Sequence, residues 1–210
     1  MVGDLDGSVV LPGQNYNIAF MVDSSGSIGD EAMKVIRTQL EKVFTSLKTS
    51  AGTDNAGTVN IFLVDFDTTT HGSVSVNLTD SGALKTLLDA LKGMSADGGT
   101  NYEAAFSKAA DWFAASTARS NVDAKNLAYF ITDGKPNDLD IYDSRYGIED
   151  TRMAVHEARR MGLTPFCVTI DREAGSYLPY LFGPAGFCVI RKPEELPRRL
   201  PLLYVQLTRQ

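Results

Sequence analysis

The sequence predicts an α/β fold: a doubly wound, mostly parallel sheet flanked by helices, with one antiparallel edge strand. Three observations carry that expectation. Short apolar runs recur along the chain with turn residues nearby, as buried parallel strands require. Amphipathic helical patterns fall between them, which implies βαβ units. One further run alternates polar and apolar residues, as a half-exposed edge strand does.

The first strand is read over Asn17–Val22 (NIAFMV). A long helix follows from near Asp30, because Met33, Ile36, Leu40, Val43, Phe44 and Leu47 recur at threes and fours. Thr58–Val64 (TVNIFLV) is the second strand, and Ser73–Leu78 (SVSVNL) is the alternating edge strand. Ala104, Ala105, Ala109, Trp112 and Phe113 mark a second helix, and Leu127–Thr132 (LAYFIT) the next strand. Ala154, Ala158 and Met161 mark a third helix. Pro165–Ile170 and Phe187–Ile190 are two more strand candidates, and Leu196–Leu207 a fourth helix.

Composition bounds the function. The chain has 210 residues, 43% of them hydrophobic and 22% charged, which suits a soluble domain with a full core. Its net charge of -6 argues against nucleic-acid binding, which needs a basic footprint. The apolar runs fall far short of the ~18 residues that a membrane span requires, so no membrane insertion is expected. No basic stretch followed by an apolar one opens the chain, so no secretory signal is expected, as for a domain excised from something longer.

Charge is unevenly spread. Residues 1–138 carry 17 acidic and 10 basic groups, with eight Lys against two Arg. Residues 139–210 carry 9 acidic and 10 basic groups, with nine Arg against one Lys, and hold both cysteines and six of eight prolines. That jump suggests a mosaic of two sources, a chance fluctuation being the alternative.

In doubly wound folds ligands bind at the carboxyl ends of the strands, and three loops there stand out. Asp23-Ser24-Ser25-Gly26-Ser27 places a carboxylate and two hydroxyls at every second position, so that they can converge. Asp97-Gly98-Gly99-Thr100-Asn101 offers two glycines for close backbone approach and one hydroxyl. Thr132-Asp133-Gly134 ends a strand on a carboxylate. Each loop taken alone reads as a helix N-cap; all three together do not. Asp23, Ser25, Ser27, Thr100 and Asp133 are hard oxygen donors without His or Cys. That set disfavours zinc and copper and favours Mg²⁺ first, with Mn²⁺ or Ca²⁺ as alternatives. Two carboxylates leave a divalent cation incompletely neutralised, so a partner's Asp or Glu is the natural last ligand. Without metal, Asp23 and Asp133 are expected to repel each other, so metal should stabilise the fold, by roughly 2.7 kcal/mol at a hundredfold excess over its Kd.

In this order, DSSGS, GGT and TDG resemble the metal-ion-dependent adhesion site of a von Willebrand factor type A domain. The resemblance covers nearly the whole chain: residues 1–13 read as an N-terminal extension and 14–210 as one domain. It implies that Ser25, Ser27 and Thr100 ligate the metal directly, and that Asp23 and Asp133 act directly or through water. It also implies recognition of a protein or glycan bridged through the metal, without bond-making chemistry. Residues 1–138, with QNYNIAFMVDSSGSI and DGGTNYEAAFSKAADWF, resemble the A domain of secreted bacterial repeats-in-toxin adhesins. Residues from about 131 onward, with ITDGKPNDLDIYDSRYGIEDTRMAVHEARRMG and RKPEELPRRLPLLY, resemble the A domain of nitric oxide reductase activation proteins, cytoplasmic partners of a MoxR-type AAA+ ATPase. The apparent seam, near 131–139, makes a chimera the favoured origin and a divergent natural domain the alternative.

Other constellations are weaker. G-x-S-x-G is absent, and His71 and His156 are the only histidines, so no hydrolase triad and no enzyme is expected. His156 reads as a solvated helix residue. Gly134-Lys135-Pro136 is not a phosphate loop. Asp138, Asp140 and Asp143 fail the EF-hand spacing and read as a solvated acidic loop. Cys167 and Cys188 read as core residues on neighbouring strands, with a disulfide as the minority reading. Arg159, Arg160, Arg198 and Arg199 read as pairing with nearby Glu side chains. The favoured function is therefore surface adhesion within a larger secreted protein. The alternative is a cytoplasmic adaptor for an AAA+ ATPase.

Overall fold

The computed structural model describes residues 13–51, 57–134 and 143–200. β1 (Tyr16–Asp23) leads into α1 (Gly29–Ala51), β2 (Val59–Phe66), β3 (Thr70–Asn77) and α2 (Ala83–Gly93). After α3 (Tyr102–Ala114) and the single turn α4 (Ser116–Arg119) come β4 (Lys125–Thr132) and α5 (Asp143–Arg160). The short elements β5 (Thr164–Thr169), α6 (Leu178–Phe182) and β6 (Phe187–Val189) follow. Residues 196–200 begin the predicted fourth helix, and its remaining residues lie outside the described ones. Among the described residues no helix is long and apolar enough to cross a membrane.

The six strands form one sheet in the order β3-β2-β1-β4-β5-β6. Every pairing is parallel except that of β2 with β3. Each expected strand is present, and the alternating SVSVNL run is indeed the antiparallel, half-exposed edge. β1 and β2 are buried along their whole length, which is why they read as continuous apolar runs rather than alternating ones.

Pleating sorts the core into two layers. Ile18, Phe20 and Val22 of β1 pack with the apolar stripe of α1 and with Leu87 and Leu91 of α2. Ala19 and Met21 face the other way, toward α3, α5 and α6. Large side chains such as Leu40 and Phe44, buried completely, contribute about 1.5–3 kcal/mol each. Phe130 lies at the centre of the second layer, ringed by Phe66, Tyr102, Phe106 and Phe182 with centroids 4.5–6.0 Å away.

α5 begins well before the stretch that Ala154, Ala158 and Met161 mark, and it ends at Arg160. α2 was not among the predicted elements, although Leu84, Leu87, Leu88 and Leu91 carry the helical spacing. The cysteines are free. Cys167 pairs in register with Phe187, and Cys188 with Val168, so the two thiols project from opposite faces of the sheet. A bond between them would need a one-residue slip of β6. Arg199 pairs with Glu195 at 3.6 Å as expected, whereas Arg159 donates to the carbonyl of Phe182 instead. His156 is exposed on α5. Asp138 and Asp140 lie outside the described residues, as does the side chain of Asp143.

Candidate metal centre

The strand order turns at β1, with β2 on one side and β4 on the other. The connections therefore leave in opposite directions, and a crevice opens between the carboxyl ends of β1 and β4. Those ends are Asp23 and Thr132, with Asp133 immediately after.

Four of the five candidate residues meet there in one hydrogen-bonded chain. The amide of Ser25 donates to Asp23 Oδ1 at 2.9 Å, in a local turn that fixes the carboxylate. The hydroxyls of Ser25 and Ser27 lie 3.0 Å apart, and Ser27 Oγ donates to Asp133 Oδ1 at 3.1 Å. Asp23 and Ser25 are buried, Asp133 is half-buried and Ser27 is exposed, so the chain runs from the interior to the surface. Ser24, the intervening residue, points elsewhere: its hydroxyl donates to the carbonyl of Phe66 at 3.0 Å and ties the loop to β2.

The second loop is docked on the first through backbone. Asp97 N donates to Ser24 O at 2.9 Å, and Gly26 N to Gly98 O at 3.1 Å. Gly98 has φ +71, and a Cβ there would stand 2.7 Å from Asp67 Oδ2. Thr100 is buried in this loop but is not part of the hydrogen-bonded chain. Asn101 performs the capping of α3, accepting from Ala104 N at 3.1 Å, so Thr100 has no capping duty.

Behind Asp23 lies a contact that the motif does not announce. Thr132 Oγ1 donates to Asp23 Oδ2 at 2.6 Å, and Tyr102 OH shares a hydrogen bond of 2.9 Å with the same hydroxyl. The single phenol proton of Tyr102 is shared between that hydroxyl and the carbonyl of Gly134. Asp23, Thr132 and Tyr102 thus link the ends of β1 and β4 to the first turn of α3.

The sequence model of the von Willebrand factor type A domain matches residues 17–179. The chain belongs to that family. Protein NorD of Stutzerimonas stutzeri is 63% identical over 71 residues, a stretch that spans 34% of this chain and 12% of NorD. The chain thus carries a NorD-like segment while spanning only a small part of that relative. Two solved structures share the fold at low identity. Proximal thread matrix protein 1 from the mussel byssus, with a zinc-occupied metal-ion-dependent adhesion motif, has a TM-score of 0.64 and 11% identity. That alignment covers 93% of this chain and 46% of the other. Manganese-loaded TRAP protein of Plasmodium vivax has a TM-score of 0.62 and 15% identity over 92% of this chain and 75% of its own. Neighbours of this fold therefore carry divalent cations, zinc among them.

In this type A domain the residues fit such an ion. Burial pushes the Asp23 carboxyl up to about 6, against weaker opposing hydrogen bonds from Ser25 and Thr132. Burial likewise raises Asp133, with Ser27 opposing. The charges acting on the pair are themselves carboxylates: Asp133 on Asp23, and Asp171 on Asp133. The expected Asp23–Asp133 repulsion is present, but desolvation by burial outweighs it at Asp23. Among the described residues no group of three or more His, Cys, Asp or Glu assembles, so the hydroxyls must supply the remaining donors.

Sequence reading of this type A domain missed Thr132 and Tyr102 as site residues. Strand alternation could have found Thr132: Ala128, Phe130 and Thr132 share one face, as do Ala19, Met21 and Asp23. Nothing in the sequence marks Tyr102, whose hydroxyl reaches Asp23 only through Thr132.

Proposed function

We propose that this chain is a divalent-metal-dependent ligand-binding domain and not an enzyme. Asp23, Ser25, Ser27, Thr100 and Asp133 would hold the ion, Mg²⁺ first, with Mn²⁺, Ca²⁺ or Zn²⁺ as competitors. When bound, the ion supplies an open coordination position for an acidic oxygen of a protein or glycan partner. The observation that carries this reading is the Ser27–Asp133 hydrogen bond at 3.1 Å, which closes a row of hard oxygens across the crevice between β1 and β4. Asp23 orients Ser25 through its amide, and Thr132 holds Asp23 from behind, so the row is fixed before any partner arrives.

The favoured setting is adhesion at a cell surface, as part of a larger secreted protein. The adhesin-like stretch 1–138 contains all three metal loops, two of which lie wholly outside the NorD-like part. A second reading is favoured by the NorD match: a cytoplasmic adaptor working with an AAA+ ATPase in nitric oxide reductase activation. Calorimetric titration with Mg²⁺ and Mn²⁺ tests the site, and Asp23→Ala should abolish the heat. An unchanged titration in that variant would sink the assignment. Cell or glycan binding lost on chelation supports adhesion; metal-dependent binding to a purified MoxR-type ATPase supports the adaptor.

A further inference from the structure

α3 and α5 pack side by side over the second core layer, and a groove of about 420 Å³ runs along their outer junction. Its walls are two helix faces in step. Glu103, Ser107, Ala110 and Ala114 recur at threes and fours on α3, and Asp150, Met153, Glu157 and Met161 do so along α5 and its end. The groove is shallow where Ala110, Ala114 and Ala154 carry only methyl groups, over the buried Phe106.

Two features of the groove are at odds with a plain solvated face. Met153 is 58% exposed and Met161 36%, two of the few large apolar side chains that the described surface leaves open. Exposed Met at a groove is an adaptable apolar contact. Around them stand four carboxylates, Glu103, Asp111, Asp150 and Glu157, and among the described residues no Lys or Arg lines the groove.

We propose that this groove is a second docking surface, and that its occupant is an amphipathic helix of a partner with basic flanks. Apolar residues of that helix, spaced at threes and fours, would lie on Met153, Met161 and the alanines Ala110, Ala114 and Ala154 between them. Its Lys and Arg would meet the four carboxylates of the rim, which set orientation and speed association. From Glu103 to Ala114 the α3 wall is about 16 Å long, room for about three turns of a partner helix. None of these contacts uses the metal loops, so the surface works in the presence of chelator and stands or falls apart from the metal reading.

The test is fluorescence anisotropy with a labelled eighteen-residue peptide of Leu and Lys in amphipathic helical order, titrated with the full chain in EDTA. Binding is expected to be at least tenfold tighter than for the same peptide with Glu in place of Lys, and to weaken as salt rises. Asp111→Lys with Glu157→Lys should weaken it at least tenfold. Glu41→Lys with Glu194→Lys, the same charge change at exposed positions on α1 and near the chain's end, should leave it within about twofold. Equal losses in the two double variants would mean binding to net charge alone and would overturn the proposal. If the groove variant is unfolded by circular dichroism, amide shifts on the unaltered chain decide. Shifts confined to residues 103–114 and 150–161 support the groove, and shifts elsewhere overturn it. A dimer in sedimentation that Met153→Glu dissociates would instead assign the groove to a second copy of this chain.

Discussion

Thr132 and Asp23, 109 positions apart in the chain, are joined by a hydrogen bond of 2.6 Å between hydroxyl and carboxylate. Both are buried, and both end their strands on the same face of the sheet. The bond fixes one carboxylate oxygen and leaves the other to the Ser25 amide. Thr132→Val keeps the shape and removes the donor. Leaving a buried carboxylate short of one partner should cost about 2 kcal/mol in urea denaturation. Mg²⁺ affinity should fall with it, because an untethered Asp23 no longer holds the Ser25–Ser27 row in place. Unchanged affinity would show that Thr132 serves the fold alone.

Asp23 also predicts an unusual pH dependence for the metal-free protein. Its folded value of about 6 lies above the ordinary 3.8, so between these values the folded state holds a proton that the unfolded state has lost. Its contribution to stability is therefore full at low pH and is lost as pH rises from about 4 through 6. The loss amounts to about 3 kcal/mol. Asp133, raised by burial, acts in the same direction. Melting curves in EDTA should thus fall from about pH 4 to 7 and level off above that, and saturating Mg²⁺ should reverse the fall above pH 6. Asp23→Asn should flatten the EDTA curve and melt higher than the parent at pH 8, while no longer responding to Mg²⁺. A parent protein in EDTA as stable at pH 8 as at pH 5 would contradict this.

Gly98 has a backbone that only glycine adopts cheaply, and it sits against Asp67. Gly98→Ala combines a left-handed φ with a clash against the Asp67 carboxylate. Destabilisation of about 2 kcal/mol or more is expected, read as a lower urea midpoint. The loop carrying Thr100 should loosen with it, so Mg²⁺ affinity should also drop. Gly72→Ala has open space and no positive φ, and provides the control.

The apparent seam between the two sequence halves lies inside one sheet. β4 pairs with β5 from Leu127↔Thr164 to Thr132↔Thr169, and Phe130 packs on Phe182 across the same boundary. A chain ending at residue 138 would lose α5 and β5 and leave β4 as an open apolar edge. It should stay unfolded or aggregate by circular dichroism and light scattering, while the whole chain melts in a single transition. Independent folding of residues 1–138 would show two cores where the structure has one.

Much of the architecture was legible because burial leaves period-dependent traces. NIAFMV and TVNIFLV are apolar but for Asn17, Thr58 and Asn60 because helices cover both faces of β1 and β2, and SVSVNL alternates because Val74 and Val76 pack on the core while the exposed Ser73 and Ser75 lie on the other face. α2 shows that a trace can be present and passed over. Its leucines fall at the right spacing, in a stretch between an edge strand and a glycine loop that reads as connection. Cys167 and Cys188 show the opposite limit: adjacency of their strands was readable, but the register that turns the thiols to opposite faces was not.

The sequence alone determined which oxygens were available and in which loops: Asp23, Ser25 and Ser27 alternate along one turn, Thr100 follows two glycines, and Asp133 follows directly on a strand. Only the tertiary structure decided how they are held. The Ser27–Asp133 bond, the docking of Gly26 on Gly98, and the Tyr102–Thr132–Asp23 relay each join residues 30 or more positions apart in the chain. Local periodicity reports which face a residue occupies and says nothing of what stands opposite. That is set by strand order and register, which depend on the packing of the whole sheet.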